Sequence, residues 1–310
     1  MSTAVLADRS GAIVLTGTPG RPPRRRPAPA VSALAPRLVG PTSIVASSAS
    51  LQTGTALATT VFATFGPAGT AGLRFLAGAC VLLAIARPRL GGRTAKAWLA
   101  ITGFGATMAA TNLLLYAAVA RIPLGAAVTL EFLGPLALAL LGAHRRLDAT
   151  WAIAAAAGVA LLAGGPTGSS ITGIAFALGA AVSVAGSILI ARRLNDHTDS
   201  VDGLALAVTV AALLTLPAGL PAALGALNLD HLAIVAAVGV LGIALPYALE
   251  LSALRRVGVK TYSILLSLDP AVAGLAGLLF LGQHPSPNDL IGIGLVVTAS
   301  AGAVTTRPNS

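Results

Sequence analysis

Apolar runs of about twenty residues recur along the whole chain, with short charged segments between them. A helix needs about 20 residues to cross the roughly 30 Å hydrocarbon core of a bilayer. Only 10% of the residues are charged, whereas soluble proteins average about 25%. The runs therefore predict an all-α integral membrane protein. They argue against a soluble all-helical core, and closed-barrel strands would show short alternating segments instead.

Ten membrane spans can be delimited in this way, of which only the fifth is short. They cover residues 43–64, 69–87, 96–117, 123–143, 149–164, 171–191, 203–224, 231–252, 260–281 and 288–306. Lys and Arg accumulate in cytoplasmic loops, so the charges test the count independently. With the N-terminal tail inside, all basic residues fall on the cytoplasmic side except Arg121, in an outer loop, and Arg74, inside the second span. The pattern predicts a multi-pass membrane protein with both termini cytoplasmic.

Residues 1–40 carry clustered arginines and several prolines without a long apolar run. They are predicted to form a disordered basic cytoplasmic tail rather than a cleaved signal peptide. The net charge of +10 lies in clusters between apolar runs, which indicates membrane orientation and not nucleic-acid binding. A single cysteine, Cys80, excludes an intrachain disulfide and a cysteine-based metal site. We expect no metal and no other cofactor, and the sequence assigns no oligomeric state.

Two segments of the chain share a pattern. Arg121 and Pro135 are fourteen residues apart, as are Arg256 and Pro270, and each proline follows a run that contains an acid. Because each half would hold five spans, an odd number, the second half would be inverted in the membrane, a recurring design in transporters. Chance similarity between apolar segments is the alternative. The predicted repeats are residues 41–165 and 170–306.

Four charged side chains lie within spans or near their ends. They are Arg74, Glu131, Glu250 and Asp269. Inserting a charge near the centre of a membrane helix costs about 2.5–3.5 kcal/mol. Glu131 and Asp269 fall near mid-span beside Pro135 and Pro270, and a proline frees a backbone carbonyl and can kink the helix. Both acids are candidates for binding an ammonium group or a proton. The alternative is an inward acid neutralised by a hydroxyl or by Arg74.

Two interpretations stay open for each of the other charges. Arg74 could clamp a carboxylate in bidentate fashion, or it could extend to the lipid headgroups. Glu250 could belong to a site, or it could pair with Arg255 or Arg256 near the cytoplasmic end of its span.

The first span is dense in hydroxyl and amide side chains, most of which are expected to form interhelical hydrogen bonds. Gln52 is the exception that we assign to a binding site. Asn112, Tyr116 and Tyr247 could add polar contacts to that site, and packing explains them equally well.

The segments YAAVARIPLGAAVTLEFLGPLALAL, ALPYALELSALRR and SLDPAVAGLAGLLFLG resemble the EamA-type drug/metabolite transporter superfamily. Within it, the chain is most similar to the threonine and homoserine exporters of bacterial inner membranes, which implies the same location for this chain. The resemblance implies ten helices in two inverted halves, with efflux of a small hydroxylated amino acid driven by a proton gradient. The chain departs from the family pattern at Thr59, where a lysine is usual, and at Asp269, where the acid is generally glutamate.

Three rival functions are left by the sequence. One is export of another metabolite or drug by the same fold, which the change at Thr59 keeps open. Another is a membrane-embedded enzyme acting on lipid, although the four histidines fall in different loops and cluster with no nucleophile. These histidines are His144, His197, His231 and His284. The third is a structural or regulatory subunit, which the intramembrane acids argue against.

Overall fold

Helices account for nearly all of the chain that the structure, a computed structural model, describes. It describes residues 30–141, 146–163, 170–198, 200–226, 228–254, 256–257 and 259–305. The chain divides into two units, Met1–Arg37 and Leu38–Ser310, and the packing below is that of the second. Most of the predicted basic tail lies outside the described residues, although the first helix already begins at Ala30, ten residues before the predicted end of that tail.

Thirteen α-helices and one π-helical turn follow one another within the described residues, which contain no strand. In chain order the helices are α1 (Ala30–Thr59), α2 (Phe62–Ala86), α3 (Ala95–Val119), α4 (Leu124–Glu131), α5 (Leu133–Leu141), α6 (Arg146–Ala163), α7 (Ile171–His197), α8 (Ser200–Ala226), α9 (Leu229–Gly239), α10 (Leu245–Leu254), α11 (Val259–Leu266), α12 (Asp269–Leu281) and α13 (Pro287–Thr305). The π turn, Val240–Ala244, joins α9 to α10 without a loop.

Seven helical segments in the described part of the chain are long and apolar enough to cross a membrane. They are Phe62–Ala86, Ala95–Val119, Ile171–Ala191, Val201–Ala218, Leu229–Glu250, Ile264–Leu281 and Pro287–Thr305. Two shorter apolar segments, Leu124–Leu138 and Ala149–Leu162, lie between them in the chain. The prediction of an all-helical protein with membrane-spanning helices is confirmed.

The boundary between the first two predicted spans was placed wrongly. The predicted spans 43–64 and 69–87 leave residues 65–68 as the connection, but α1 already ends at Thr59 and α2 begins at Phe62. Gly66 instead has a φ of 66°, a left-handed conformation that glycine adopts at low cost, and produces a kink inside α2. At the earlier turn, the hydroxyls of Thr59 and Thr60 donate to carbonyls in the last turn of α1.

Glycines set how closely the helices approach. α2 packs along α8, α3 packs on α7 and α8, α4 packs on α12, and α6 packs on α13. A Cβ atom at Gly72 of α2 would lie 2.8 Å from the carbonyl oxygen of Thr215 in α8. Gly158 and Gly292 face each other in the same way between α6 and α13. Such small-residue contacts drive helix association in membranes, where the hydrophobic effect is weak between helices.

A cavity is left between the two halves of the chain, while the core around it is apolar. One buried cluster, built around Phe75, Ile101 and Val208, packs α2 and α3 against α8. Another, built around Leu124 and Leu130, joins α3, α4 and α7. An ion pair lies outside these apolar clusters: Arg93, in the loop before α3, donates to Asp202 in the first turn of α8 at 3.0 Å.

Candidate functional site

The cavity has a volume of about 220 Å³ and is lined by helices from both halves of the chain. This is below the roughly 300–1,000 Å³ of pockets that hold drug-sized ligands. Its wall carries a mixture of cationic, anionic and neutral polar side chains. They are Gln52, Thr55, Arg74, Thr111, Asn112, Glu131, Ser187, Tyr247 and Glu250. Apolar side chains such as Phe75, Phe104 and Met108 complete the lining.

Arg74 is the cation of the cavity, and only 3% of it is exposed. Its Nη1 donates to the side-chain oxygen of Asn112 at 3.0 Å and to the hydroxyl of Tyr116 at 2.7 Å. Its Nη2 donates to the backbone carbonyl of Gly242 at 2.6 Å. The guanidinium therefore points across the helix bundle and does not extend to a headgroup, which excludes that interpretation of Arg74.

The partners of Arg74 are all neutral. Within the described residues it forms no ion pair, and its Nε is buried without a hydrogen-bond partner. The Tyr116 ring lies 5.5 Å from the guanidinium carbon, which adds a cation–π contact. Three of the five N–H donors are occupied, and none of their acceptors is a carboxylate. A buried guanidinium in this state has a strong preference for an anionic ligand.

Pro246 explains why the carbonyl of Gly242 is available to Arg74. Proline has no N–H, so it cannot donate to the carbonyl four residues earlier, Gly242, or five residues earlier, Leu241. Side chains from other helices take both places: Arg74 donates to Gly242, and the Ser50 hydroxyl of α1 donates to Leu241 at 2.7 Å. The π turn is therefore a docking point for α1 and α2, consistent with the frequent occurrence of π-bulges at functional sites.

Glycine is required at both contacts of the π turn. A Cβ atom at Gly242 would lie 2.7 Å from the Nε and Nη2 atoms of Arg74. A Cβ atom at Gly54 in α1 would lie 2.8 Å from the backbone nitrogen of Gly242. The α1 backbone, the π turn and the guanidinium are therefore stacked without room for any side chain at these positions.

Glu131 is the last residue of α4, at a break in the helical rod formed by α4 and α5. Pro135 lies four residues later and cannot donate to the Glu131 carbonyl, so the helix is interrupted there. The side chain lines the cavity and has no hydrogen-bond or ion-pair partner among the described residues. Glu131 and Arg74 thus line the same cavity and interact electrostatically without forming an ion pair.

Glu250 lines the same cavity but is held in a hydrogen-bond network. The Ser47 hydroxyl donates to its Oε1 at 2.9 Å, and the Tyr262 hydroxyl donates to its Oε2 at 3.1 Å. Ser47 also approaches the carbonyl oxygen of Pro246 at 3.1 Å. This carboxylate therefore joins α1, α10 and α11, in contrast to the free carboxylate of Glu131.

Asp269 does not line the cavity. It begins α12 after a second helix break, because Pro270 cannot donate to Leu266, the last residue of α11. Its Oδ1 is buried without a partner in the described part of the chain. Asp269 is close enough to Glu250 and Glu131 for electrostatic interaction, yet the described acids, histidines and cysteine form no group of three that could hold a metal ion.

The predicted site residues thus fall into two sets. Gln52, Asn112, Tyr247 and the charged residues Arg74, Glu131 and Glu250 surround one cavity. Tyr116 is completely buried behind Arg74, with its ring 5.3 Å from that of Phe62, and Asp269 lies away from the cavity wall. Thr59 is not among the lining residues, and its hydroxyl donates to the Ala56 carbonyl.

Ser47 and Ser50 form hydrogen bonds to other helices, as expected for the hydroxyls of the first span. The sequence analysis did not identify four other residues that shape this site, which are Thr111, Gly242, Pro246 and Tyr262. Pro246 carried a usable signal, since a proline inside a predicted span four residues before Glu250 frees carbonyls near an acid. The others are small or single polar residues whose importance depends on contacts between helices distant in the sequence.

The sequence is similar to known proteins along most of its length. The model of the EamA-like transporter family matches residues 171–305. The threonine/homoserine exporter RhtA of Escherichia coli K12 is 36% identical over 267 residues, which cover 83% of this chain and 88% of the relative. The protein of the same name from Salmonella typhimurium LT2 is 35% identical over 266 residues, with the same shares of both chains.

A solved crystal structure has a similar fold. It is 21% identical in sequence, with a TM-score of 0.54, and the alignment covers 87% of this chain and 97% of that structure. At this identity the similarity concerns the fold alone.

Proposed function

The chain belongs to the EamA-like transporter family, and from this membership we propose that it exports small amino acids with a hydroxylated side chain, of the threonine and homoserine type. The bacterial relatives are named for export of these two amino acids. Membership in a transporter family and the apolar helices long enough to cross a membrane support transport over an enzymatic function.

One observation carries the choice of substrate. A cavity of about 220 Å³ holds a guanidinium and a carboxylate that form no ion pair with each other, and within the described residues the carboxylate accepts no hydrogen bond. A free amino acid carries one negative and one positive group on the same α-carbon. In our proposal, Arg74 binds the substrate carboxylate and Glu131 binds its ammonium group. Gln52, whose amide has no hydrogen-bond partner among the described residues, would bind a further polar group.

We propose ten membrane spans arranged as two inverted repeats, residues 41–165 and 170–306. In this arrangement α4 with α5, α9 with α10 and α11 with α12 each form one span, as α1 does. Three spans then pack against their own counterparts in the other repeat, namely α2 on α8, α4 on α12 and α6 on α13. The contact of α3 with α7 has its counterpart in the hydrogen bonds from α1 to the π turn and α10. A two-fold axis within the membrane plane accounts for this whole set of pairs.

The helix breaks also support the inverted repeats. α4 ends four residues before Pro135, and α11 ends four residues before Pro270. Both breaks therefore fall at equivalent positions of the two repeats. Discontinuous helices near the membrane midplane are characteristic of substrate sites in transporters with inverted repeats.

Transport would proceed by alternating access to the cavity, with both termini in the cytoplasm. Basic residues at the ends of the helices support this orientation, as in the segment that contains Arg87, Arg89, Arg93 and Lys96. We propose proton antiport, in which Glu250 and Asp269 bind and release the transported proton. Both acids interact with Tyr262. The hydrogen bond from Tyr262 to Glu250 supports this role, as does the unpartnered oxygen of Asp269.

The experiment uses the full chain reconstituted in vesicles loaded with labelled threonine, homoserine or one of a panel of other amino acids. We expect release of threonine and homoserine that accelerates when a pH gradient is imposed. Variant Arg74→Lys should lose most of this release, because an ammonium group lacks the planar fork of donors that holds Asn112, Tyr116 and a carboxylate together. Release of none of these amino acids would refute the proposal in favour of another cargo of the same fold.

A further inference from the structure

The hydroxyl of Thr111 stands out in the wall of the cavity. Thr111 lines the cavity, is only 9% exposed, and its Oγ1 has no hydrogen-bond partner among the described residues. A buried hydroxyl that forms no hydrogen bond is costly, so its presence in a binding cavity calls for a partner supplied from outside the chain.

The usual local solution is closed to Thr111. A threonine in a helix normally donates to the carbonyl three or four residues earlier. The carbonyl of Thr107, four residues earlier, already accepts from the Ser183 hydroxyl of α7 at 3.0 Å. The carbonyl of Met108, three residues earlier, already accepts from the Asn112 amide at 3.2 Å. Both acceptors are taken by other side chains, which leaves the Thr111 hydroxyl for a ligand.

The other aliphatic hydroxyls of the described cavity wall do not share this property. Thr55 donates to the carbonyl of Leu51 at 2.9 Å, and Ser187 donates to the carbonyl of Val184 at 2.8 Å. They are satisfied within their own helices. Thr111 therefore differs from Thr55 in its hydrogen bonding, although both are threonines that line one cavity.

We propose that Thr111 determines specificity by hydrogen-bonding the side-chain hydroxyl of the transported amino acid. The inference rests on the proposed function, since Arg74 and Glu131 would hold the carboxylate and ammonium groups common to all amino acids. Those two residues cannot distinguish threonine from valine, which has the same shape with a methyl group in place of the hydroxyl. A site that supplies a hydrogen bond to a substrate hydroxyl rejects the analogue that lacks it.

The test compares threonine and valine release from vesicles containing the wild-type chain, Thr111→Val or Thr55→Val. Valine keeps the size of threonine, so each variant removes only a hydroxyl. We expect the threonine-to-valine ratio of transport efficiency to fall about tenfold in Thr111→Val, equivalent to one lost hydrogen bond, and to change less than twofold in Thr55→Val. Thr111→Ser, which keeps the hydroxyl, should retain the wild-type preference.

The outcomes separate this inference from the proposed function. If the wild type releases threonine and Thr111→Val keeps its ratio, the inference is wrong while the exporter stands. An equal fall in Thr55→Val would also overturn it, because the effect would then not depend on an unsatisfied hydroxyl. If the wild type releases no amino acid, both proposals fail. Should Thr111→Val not fold, as judged by gel filtration, Thr111→Ala compared with Thr111→Ser decides the same question.

Discussion

The guanidinium of Arg74 donates to the backbone carbonyl of Gly242 at 2.6 Å, across 168 positions of sequence and between the two halves of the chain. The acceptor belongs to a π turn whose regular hydrogen bonding is interrupted by Pro246. The cation of the proposed substrate site is thus positioned by backbone of the opposite half. A relative movement of the two halves would change the environment of Arg74 directly.

Gly242→Ala tests this positioning. The added Cβ would lie 2.7 Å from Nε and Nη2 of Arg74, and only 2.9 Å from its Cζ, so the guanidinium must move. Displacement of a substrate-binding group by about 1 Å costs roughly 100-fold in rate, and we expect a 10- to 100-fold loss of threonine release. Gly294→Ala is the control, because no atom lies within 4 Å of its added Cβ. Equal activity of both variants would contradict the assigned role of the π turn.

Pro246→Ala tests the origin of the free carbonyls. Alanine restores an N–H that can donate to Gly242 or Leu241, in competition with Arg74 and Ser50. We expect threonine release to fall about tenfold while the thermal unfolding midpoint stays the same or rises, because a helix-breaking residue is removed. Pro217→Ala, at an exposed proline inside α8, should leave release unchanged. A Pro246 variant with full transport would show that the carbonyls are available without proline.

The charged residues of the site were accessible to sequence reasoning, and their surroundings were not. Insertion of a charge into a bilayer is costly, so the positions of Arg74, Glu131 and Glu250 within spans were informative by themselves. Asp269 was selected by the same reasoning, yet it lies off the cavity wall, because its helix begins at a break whose direction a linear sequence does not specify.

Helix boundaries show the same limit. Apolarity predicted where helices cross, but Gly66 and Pro67 favour a loop and a kink equally, and the kink is what forms. Thr111 carries no signal in the sequence, because threonines in membrane helices usually bond to their own backbone. Only the contacts of Ser183 and Asn112 with the preceding turn reveal that this option is closed.

Glu131→Gln tests the assignment of the ammonium site. Glutamine has nearly the same shape without the charge, so expression and thermal stability should be unaffected. We expect proton-driven release of threonine to be abolished, and exchange of labelled for unlabelled threonine to fall at least tenfold, because ammonium binding is needed in both. In Glu250→Gln, whose carboxylate is held by Ser47 and Tyr262, exchange should persist while acceleration by the pH gradient is lost.

The contrast between the two acids separates their roles. If Glu131→Gln keeps exchange but loses the response to pH, Glu131 carries the proton and not the ammonium group. Normal proton-driven transport by Glu131→Gln would leave no role for this carboxylate in the site.

Gly105 and Gly103 form a matched pair for testing how α3 is packed. A Cβ atom at Gly105 would lie 2.5 Å from the Ala207 carbonyl oxygen and 2.8 Å from the Val210 Cβ, whereas at Gly103 the nearest atoms, on Ile190, are 3.7 Å away. Both glycines lie in α3, two residues apart, so alanine gives them the same gain in helix propensity. They differ in the backbone of α8, which must be displaced for Gly105→Ala alone.

We expect Gly105→Ala to destabilise the fold by about 1–3 kcal/mol, the usual cost of overpacking, and Gly103→Ala to change stability by less than about 0.5 kcal/mol. Thermal unfolding of the purified variants in detergent measures the difference. Because α3 also carries Thr111 and Asn112 into the cavity, Gly105→Ala should weaken threonine release even in the folded fraction, and equal unfolding midpoints would show that α3 and α8 are less closely packed than described.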